Sequence, residues 1–489
     1  MNFPLQFRLV IRKSILFLPL IFGLIFSGFL SAQDSIRPDS SLYVIRSISY
    51  SGNKQTKVFI MEREVSFKVG DTISGIEFQK RLKHSRENLL NTSLFNFVTI
   101  YSSCEKDSSF SGIIPASVSV VVRERWYTWP VPVFDVAEQN FNTWWRNGHN
   151  FQRASYGFFL WRYNFRGRKE SIALICRFGY SQQFGGQYAV PYLNKKHTIG
   201  MVFTGTYTRN HEVSYATQNN KLVYYKDNDK RIRGETSGSI MFSYRKGVYW
   251  RQTLDFRYTN LSVNDTVTDL SPHYFAAGRN QMEYFTISYN VTRDYRDIKA
   301  YPLKGHFEEF EMTKHGLGIL ADEKLNIFAV AAGVRGYAEV LPRLYLAGML
   351  RARWNPSKSV PYYHQRALGF GTYIRGYEYY VIDGESYAVA KTSVRYAILK
   401  PHIFKIPFLP LEKFNMFHLA IYGGVYADAG YVDDNFSVRS DRNFLGNSFL
   451  FGYGGGIDIV TYYDIALRLE YSFNLRNENG LFVHLGTAF

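Results

Sequence analysis

The sequence predicts a mainly β protein: a sixteen-stranded antiparallel β-barrel of the membrane-crossing kind, preceded by one small α+β domain. Three observations predict it. Aromatic residues make up 17% of the chain, with 38 Tyr and 40 Phe, and 38 Gly stand against 15 Pro, a composition suited to many strands joined by tight turns. Apolar residues reach 46%, yet mean hydropathy is −0.22, which alternation of apolar and polar positions produces and a bundle of membrane helices does not. Beyond the N-terminal leader, no segment has the roughly 18 consecutive apolar residues that a transmembrane helix needs. A membrane-spanning chain of this kind crosses as a barrel, because every backbone polar group in lipid must find a partner.

In order along the chain, residues 1–32 read as a secretory signal peptide. Arg8, Arg12 and Lys13 precede an apolar run from Ile15 to Leu30, and Ser31-Ala32-Gln33 supplies a cleavage site after Ala32. No cysteine stands at that junction, which argues against a lipoprotein anchor. Residues 33–42 are a polar leader. A compact domain follows over 43–125. Tyr43 to Tyr50 alternates as a strand and closes on the turn Ser51-Gly52-Asn53; Thr56 is placed to cap a helix through Val65. Ser74 and Glu77 form a capping box for a second helix, in which Phe78, Leu82, Ser85 and Leu89 recur at helical spacing. Strands Phe97 to Ser103 and Ala116 to Arg123 complete the order β-α-α-β-β.

That order, with SGNKQT after the first strand, KVGDTIS between the helices, LFNFVTI leading into the second strand and VSVVVRERW closing the third, resembles a POTRA (polypeptide-transport-associated) domain from Tyr43 to Trp126. The resemblance implies a periplasmic domain whose strand edge and helix groove take up an extended client by β-augmentation.

From 126 to 489 the helical signals stop. Segments near 130–138, 152–163, 169–180, 183–192, 196–209, 235–246, 249–262, 280–294, 304–315, 325–340, 343–354, 386–399, 417–431, 449–461, 463–475 and 480–489 carry the alternating pattern. In one, Ile172, Leu174, Cys176, Phe178 and Tyr180 form the lipid-facing set; in another, Ile465, Leu467, Leu469, Tyr471 and Phe473 oppose Asp464, Arg468, Glu470 and Ser472 on a lumenal face. Asn164 to Arg168 and Leu341-Pro342 read as short periplasmic turns, and Gln218 to Arg233, Asn264 to Arg279 and Lys358 to Glu385 as extracellular loops. The last strand, LFVHLGTAF, sets Leu481, Val483, Leu485 and the terminal Phe489 on one face.

No enzyme is legible. The chain has no G-x-S-x-G, H-E-x-x-H, Walker loop or paired CxxC, and its eleven histidines are dispersed without metal-ligand spacing, so no catalytic residue, cofactor or metal is expected. Cys104 and Cys176, the two cysteines, fall in separate domains and read as inert thiols. The formal charge of +17 is scattered rather than clustered, which favours anionic lipid and lipopolysaccharide over nucleic acid as a partner. The densest constellation is Leu368 to Tyr380, LGFGTYIRGYEYY, where Arg375 stands as a rigid fork of donors among glycines and tyrosines. Asp428 lies opposite the lipid-facing set Leu419, Ile421, Gly423 and Val425, and so points into the lumen toward such a cation.

IRGY at Ile374, Arg375, Gly376 and Tyr377, DAG at Asp428 to Gly430, and RDYRDIKAYPLKG at Arg293 to Gly305 resemble the loop-six motif, the strand-thirteen acid and the segment before strand nine of the BamA/TamA-type outer-membrane assembly and translocation barrels, the bacterial surface antigen family. The resemblance implies that the loop folds back into the lumen and that Arg375 bonds Asp428, a pair that a charge swap of the two residues would restore. It also implies an outer-membrane location with the small domain in the periplasm. The function it implies is insertion or translocation of unfolded polypeptide clients at the barrel seam, with possible periplasmic accessory subunits. One departure is visible: where the family often has a strand-twelve glutamate, the inward positions Lys391, Ser393 and Arg395 hold no acid, and Lys391 and Arg395 are expected to repel Arg375. The competing reading is a porin-like channel with a basic lumen that passes anionic solutes.

Overall fold

The computed structural model describes residues 41–104, 113–136, 151, 154–275, 278–320, 323–405, 416–435, 443–461 and 465–486. The signal peptide, all but the end of the leader, and Phe489 lie outside the described residues. The N-terminal module contains β1 (Leu42–Ser51), α1 (Val58–Glu62), β2 (Thr72–Ser74), α2 (Gly75–Leu90), β3 (Phe95–Cys104) and β4 (Ile113–Glu124). Its sheet runs in the order β2-β1-β4-β3, with β1 and β4 parallel and the other neighbours antiparallel. On the helical stripe, Phe78, Leu82 and Leu89 pack with Ile45, Ile60, Met61, Phe95, Val98, Val118 and Val120 into one apolar core, while the buried Ser85 hydroxyl donates to Arg81 O and accepts from Ser66 N.

Three local expectations change. KVGDTIS contains a fourth strand, β2, which pairs with β1 through Leu42↔Ser74 and Val44↔Thr72. Ser74 is the N-cap of α2, but its side chain makes no capping bond; Glu77 instead accepts from Arg81 Nε at 2.9 Å. Thr56 does not cap α1 either. Its hydroxyl donates to Glu124 Oε1 at 2.6 Å, because the buried Glu124 carboxylate also takes the backbone N–H groups of Gln55 and Thr56 and so organises the turn from the far side of the module.

The barrel follows: β5 (Thr128–Val136), β6 (Ala154–Phe165), β7 (Glu170–Gly179), β8 (Ser181–Val190), β9 (Ile199–Asn210), then the hairpin β10 (Glu212–Gln218) and β11 (Lys221–Lys226). After these come β12 (Arg233–Tyr244), β13 (Trp250–Val263), the short helix α3 (Asp265–Leu270), β14 (Gln281–Asp294), β15 (Gly305–His315), β16 (Ile327–Leu341) and β17 (Leu344–Trp354). The small ladder β18 (Arg366–Leu368) and β19 (Ile382–Asp383) precedes β20 (Ser386–Lys405), β21 (Met416–Asp433), β22 (Phe449–Val460), β23 (Ala466–Asn474) and β24 (Asn479–Gly486). Setting aside the two small ladders, these strands make one sixteen-stranded antiparallel sheet from β5 to β24, one strand for each alternating segment of the sequence. Among the described residues no ladder joins β5 to β24. Outward side chains such as Leu174, Phe203, Ile240, Phe256 and Val425 are exposed, the state a lipid-facing band requires. Tyr180 is an exception to its expected set: Gly179 at φ 93° ends β7, and Tyr180 turns inward and is buried.

The loops at the end of the barrel away from the module are more ordered than the sequence suggested. The hairpin β10–β11, α3 and residues around Tyr274, Val360 and Tyr362 share an apolar core that includes Ile232, Leu261, Phe275 and Leu325.

At the other end the module is docked on four turns. Asn164 Nδ2 donates to Thr56 Oγ1 at 2.9 Å, and Lys57 N to Gly167 O at 2.9 Å. Gly167 sits at φ 72°, and a Cβ there would lie 2.1 Å from Gln55 O, so only glycine permits the approach. Arg63 donates to His197 O and Arg245 O; Arg245 returns a two-pronged bond to Glu64, at 2.7 and 2.9 Å. Asn91, just past α2, pairs with Asp297 O and Lys299 N of the segment between β14 and β15. Glu64 is 1% exposed. Burial alone would raise its pKa, but Lys169, Arg245 and Arg63 outweigh that and hold it below the usual carboxylate range.

Glu64→Gln is therefore expected to loosen the docking by about 2–5 kcal/mol. With Cys104 and Cys176 replaced by serine and spin labels at Lys83→Cys and Lys246→Cys, pulsed EPR should give one narrow distance with Glu64 present and a broad distribution with Glu64→Gln; a distribution that stays narrow would show that docking does not depend on the ion pair.

Candidate functional site: a lumenal loop fixed by a buried arginine

The segment between β17 and β20 folds back against the inner faces of the last four strands. Ile374 and Tyr377 anchor it in a core with Leu368, Val389, Val432 and Leu450. Between these anchors Arg375 is 2% exposed and Asp428, in the middle of β21, 1%. Arg375 Nε and backbone N both donate to Asp428 Oδ2, at 2.9 and 3.1 Å, and Nη2 donates to Asp428 Oδ1 at 2.5 Å. Nη2 also reaches Thr392 O at 3.2 Å, and Nη1 donates to Glu470 Oε1 of β23 at 3.3 Å. The guanidinium lies over the Tyr426 ring, 3.9 Å from its centroid. Gly376, at φ 92°, turns the chain, and its carbonyl accepts from Asn474 Nδ2 at 2.7 Å.

The floor beneath the loop is β22, whose inward positions include Gly452, Gly454 and Gly456. A Cβ on Gly452 would stand 1.8 Å from Arg375 O, and one on Gly454 2.6 Å from the Tyr426 hydroxyl. The bare strand lets the loop backbone lie flat and lets Arg375 bridge carboxylates on the strands to either side.

All four loop-motif residues and Asp428 thus meet at one place, while Leu481, Val483 and Leu485 lie exposed on the outer face of β24, away from it. Two expectations are corrected. Asp428 is not the lone partner: Glu470 is the second carboxylate, and its place on the lumenal face of β23 was the sequence signal for it. Nor do Lys391 and Arg395 crowd the arginine. Lys391 Nζ is 3.9 Å from Asp428 Oδ2 and 4.0 Å from the Tyr373 ring centroid, so it adds to the cluster as a further cation for Asp428. Arg395 points lower, to Asp458 at 3.7 Å, beside Tyr301, whose hydroxyl donates to the same carboxylate. Tyr301 belongs to the segment between β14 and β15 and stacks on Tyr422 within the barrel.

Above the arginine, the loop meets its neighbours through amides and acids. Asn220, at the tip of the β10–β11 hairpin, bonds Val381 O, Asn443 Oδ1 and Leu445 N; Asn443 Nδ2 donates to Asp383 O and Asp434 Oδ2. Burial, reinforced by the charge of Asp434, pushes the Asp383 carboxyl up to about 6 and the Glu385 carboxyl up to about 7. Among the described residues no three His, Cys, Asp or Glu side chains are arranged to hold a metal ion.

Sixteen antiparallel strands with an apolar outer band and an arginine-fixed lumenal loop define a membrane-spanning β-barrel with an internally braced wall. The Omp85 superfamily domain matches residues 164–483, and the chain belongs to that superfamily. It is accordingly an outer-membrane barrel of the class that inserts or translocates polypeptides. Similar solved structures are BamA from Haemophilus ducreyi lacking POTRA domains 1–3, at 14% identity and TM-score 0.48 over 91% of this chain and 85% of that one. Two others are CdiB from Acinetobacter baumannii, at 12% and 0.46 over 92% and 74%, and CdiB from Escherichia coli, at 10% and 0.46 over 94% and 93%. No curated protein matches the sequence.

Removing the guanidinium strands two buried carboxylates, so Arg375→Ala should destabilise the barrel by about 3–5 kcal/mol, read as a lower unfolding midpoint in heat-modifiability gels. The charge swap Arg375→Glu with Asp428→Arg should not restore it. The introduced glutamate would face Glu470 and the introduced arginine Lys391, and recovery to the wild-type midpoint would show that Glu470 and Lys391 carry no weight.

The outer acids set a pH dependence. Unfolded carboxyls titrate near about 4, so below that pH both states are protonated and nothing is lost. As pH rises from about 4 through 6 and 7, the folded protein must ionise carboxyls that it holds neutral, and stability falls. Glu385→Gln should raise the unfolding midpoint at about pH 8 and leave it unchanged at about pH 4; an equal shift at both would refute the linkage.

Proposed function

We propose that this protein is a non-enzymatic outer-membrane factor that inserts or translocates unfolded polypeptides, with the N-terminal module acting as a POTRA domain in the periplasm. The observation that carries the reading is the Arg375 loop. It covers the inner faces of β21 to β24 and is held by buried charges, an arrangement suited to bracing the wall next to the barrel's terminal strands and ill suited to a wide diffusive pore. The segment bearing Tyr301 enters the same lumen from the module's side. Two strand edges then become the working surfaces. In the module, β3 is the outer strand of its sheet, and its far half, Tyr101 to Cys104, is exposed, so an extended client can extend the ladder there. In the barrel, the meeting of β5 and β24 is where a client strand would add. Lipid and lipopolysaccharide surround the outer band, and periplasmic accessory subunits would meet the module.

Depletion is expected to lower the abundance of other outer-membrane or secreted proteins, and a photocrosslinker at Tyr101 should capture unfolded polypeptide. Normal abundance of every outer-membrane and secreted protein on depletion, together with a steady anion-selective current from the purified barrel, would replace this reading with a channel.

A further inference from the structure

The last strand is held from inside by the loop as well as by its neighbour in the sheet. The lumenal side chains of β24 include Phe482 and His484. Tyr379 lies 5.0 Å from the Phe482 ring, and Tyr373 stacks on His484 at 5.3 Å with 18° between the planes. His484 Nε2 is 3.5 Å from Glu470 Oε2 and 3.8 Å from Glu378 Oε1. All three atoms are buried and have no hydrogen-bond partner. The opposite oxygens are engaged: Glu470 Oε1 accepts from Arg375, and Glu378 Oε2 accepts from Gly376 N at 2.6 Å. One imidazole on the terminal strand therefore stands between two carboxylates, one on the wall and one on the loop, both already committed to the latch.

A neutral imidazole at that nitrogen serves at most one carboxylate as a donor, and in its other tautomer presents a lone pair to both. A protonated imidazole donates from Nε2 whichever carboxylate it meets, and that bond is charge-assisted. The other charges facing it are Arg468, its ladder partner on β23, and beyond the Tyr373 ring Lys391 and Arg375. Arg375 and Lys391 lie against Asp428 and the first oxygen of Glu470, and the carboxylate atoms that face the histidine are Glu378 Oε1 and Glu470 Oε2. We infer that His484 is a proton-operated tie between the last barrel strand and the lumenal loop: charged, it fastens β24 to Glu378 and Glu470; neutral, it lets β24 part from the loop. It is a positioning residue, and its bearing on client entry rests on the function proposed above.

The test is hydrogen exchange on the full protein in phospholipid nanodiscs without client, reading the β24 amides corrected for intrinsic rates. Protection of β24 should be about tenfold higher at about pH 5.5 than at about pH 8. His484→Gln should give low protection at both, and His484→Lys, whose charge is fixed, high protection at both. Should His484→Gln fail to fold, Glu378→Gln, which leaves Arg375 its two carboxylates, should shrink the ratio. Read in an Asp383→Asn, Glu385→Gln background, which removes the outer acids' own pH dependence, protection that is independent of pH, or a ratio that survives His484→Gln, overturns the tie. Because no client is present, a tie that behaves as expected beside a depletion without effect on other proteins would retain this inference and discard the client reading.

Discussion

The bond that the barrel's C-terminal half depends on is the buried one between Arg375 and Asp428. Placing an unpaired guanidinium or carboxylate in such a site is prohibitive, and even a good pair recovers little net stability once desolvation is counted. What this pair contributes is position. A guanidinium has a fixed plane, and here it meets Asp428 with two side-chain nitrogens, Glu470 with a third and Tyr426 with its face. Those groups sit on the strands to either side of the glycine-bearing β22, so only one placement of the loop satisfies them all. Slipping the loop by one residue would strand both acids. The cluster thus selects one register for a long connection that packing alone would leave less determined.

The same economy of position recurs where the module meets the barrel. Arg63 and Glu64 are adjacent in sequence, yet one donates to turn carbonyls while the other accepts from Arg245. Asn91 fixes the segment that carries Tyr301 into the lumen. Tyr301 in turn donates to Asp458, which also faces Arg395 on β20. Polar contacts therefore tie both ends of this one segment, Asn91 of the module at its start and Asp458 of the barrel wall at Tyr301, through groups whose partners are specified rather than interchangeable.

Much of the barrel was legible because a strand's period of two is written in its residues whatever its partners do. Each of the sixteen segments became a strand, with boundaries mostly within a few residues. What escaped were features whose cause is distant in sequence. The hairpin β10–β11 and α3 are polar enough to read as loops, and they are ordered by the shared core around Tyr274 and Phe275. Thr56 looks like a helix cap until Glu124, on β4, takes its hydroxyl. Strand β20 runs to Lys405, beyond its expected end near 399, because register shifts after Ala397 and Leu399 break the alternation on which that end was judged. At the site, Arg375 and Asp428 were readable from local chemistry and face. Glu470 was readable as lumenal, but its pairing with Arg375 was not, since nothing local says which strand a loop crosses.

That last gap explains why the missing strand-twelve acid is not a defect. The loop lies across the flat glycine strand β22, so Arg375 takes its second carboxylate from β23 and on β20 meets the Thr392 carbonyl. With the acid on β23, next to the terminal strand, the charge that holds the loop also lies within reach of His484. Had the second acid stood on β20, the loop would be braced toward the middle of the sheet, and β24 would keep its ring contacts and Glu378 but lose the wall carboxylate that faces His484. Moving the partner toward the end of the sheet joins the fixing of the loop to the fixing of the last strand, so that whatever loosens one is felt by the other.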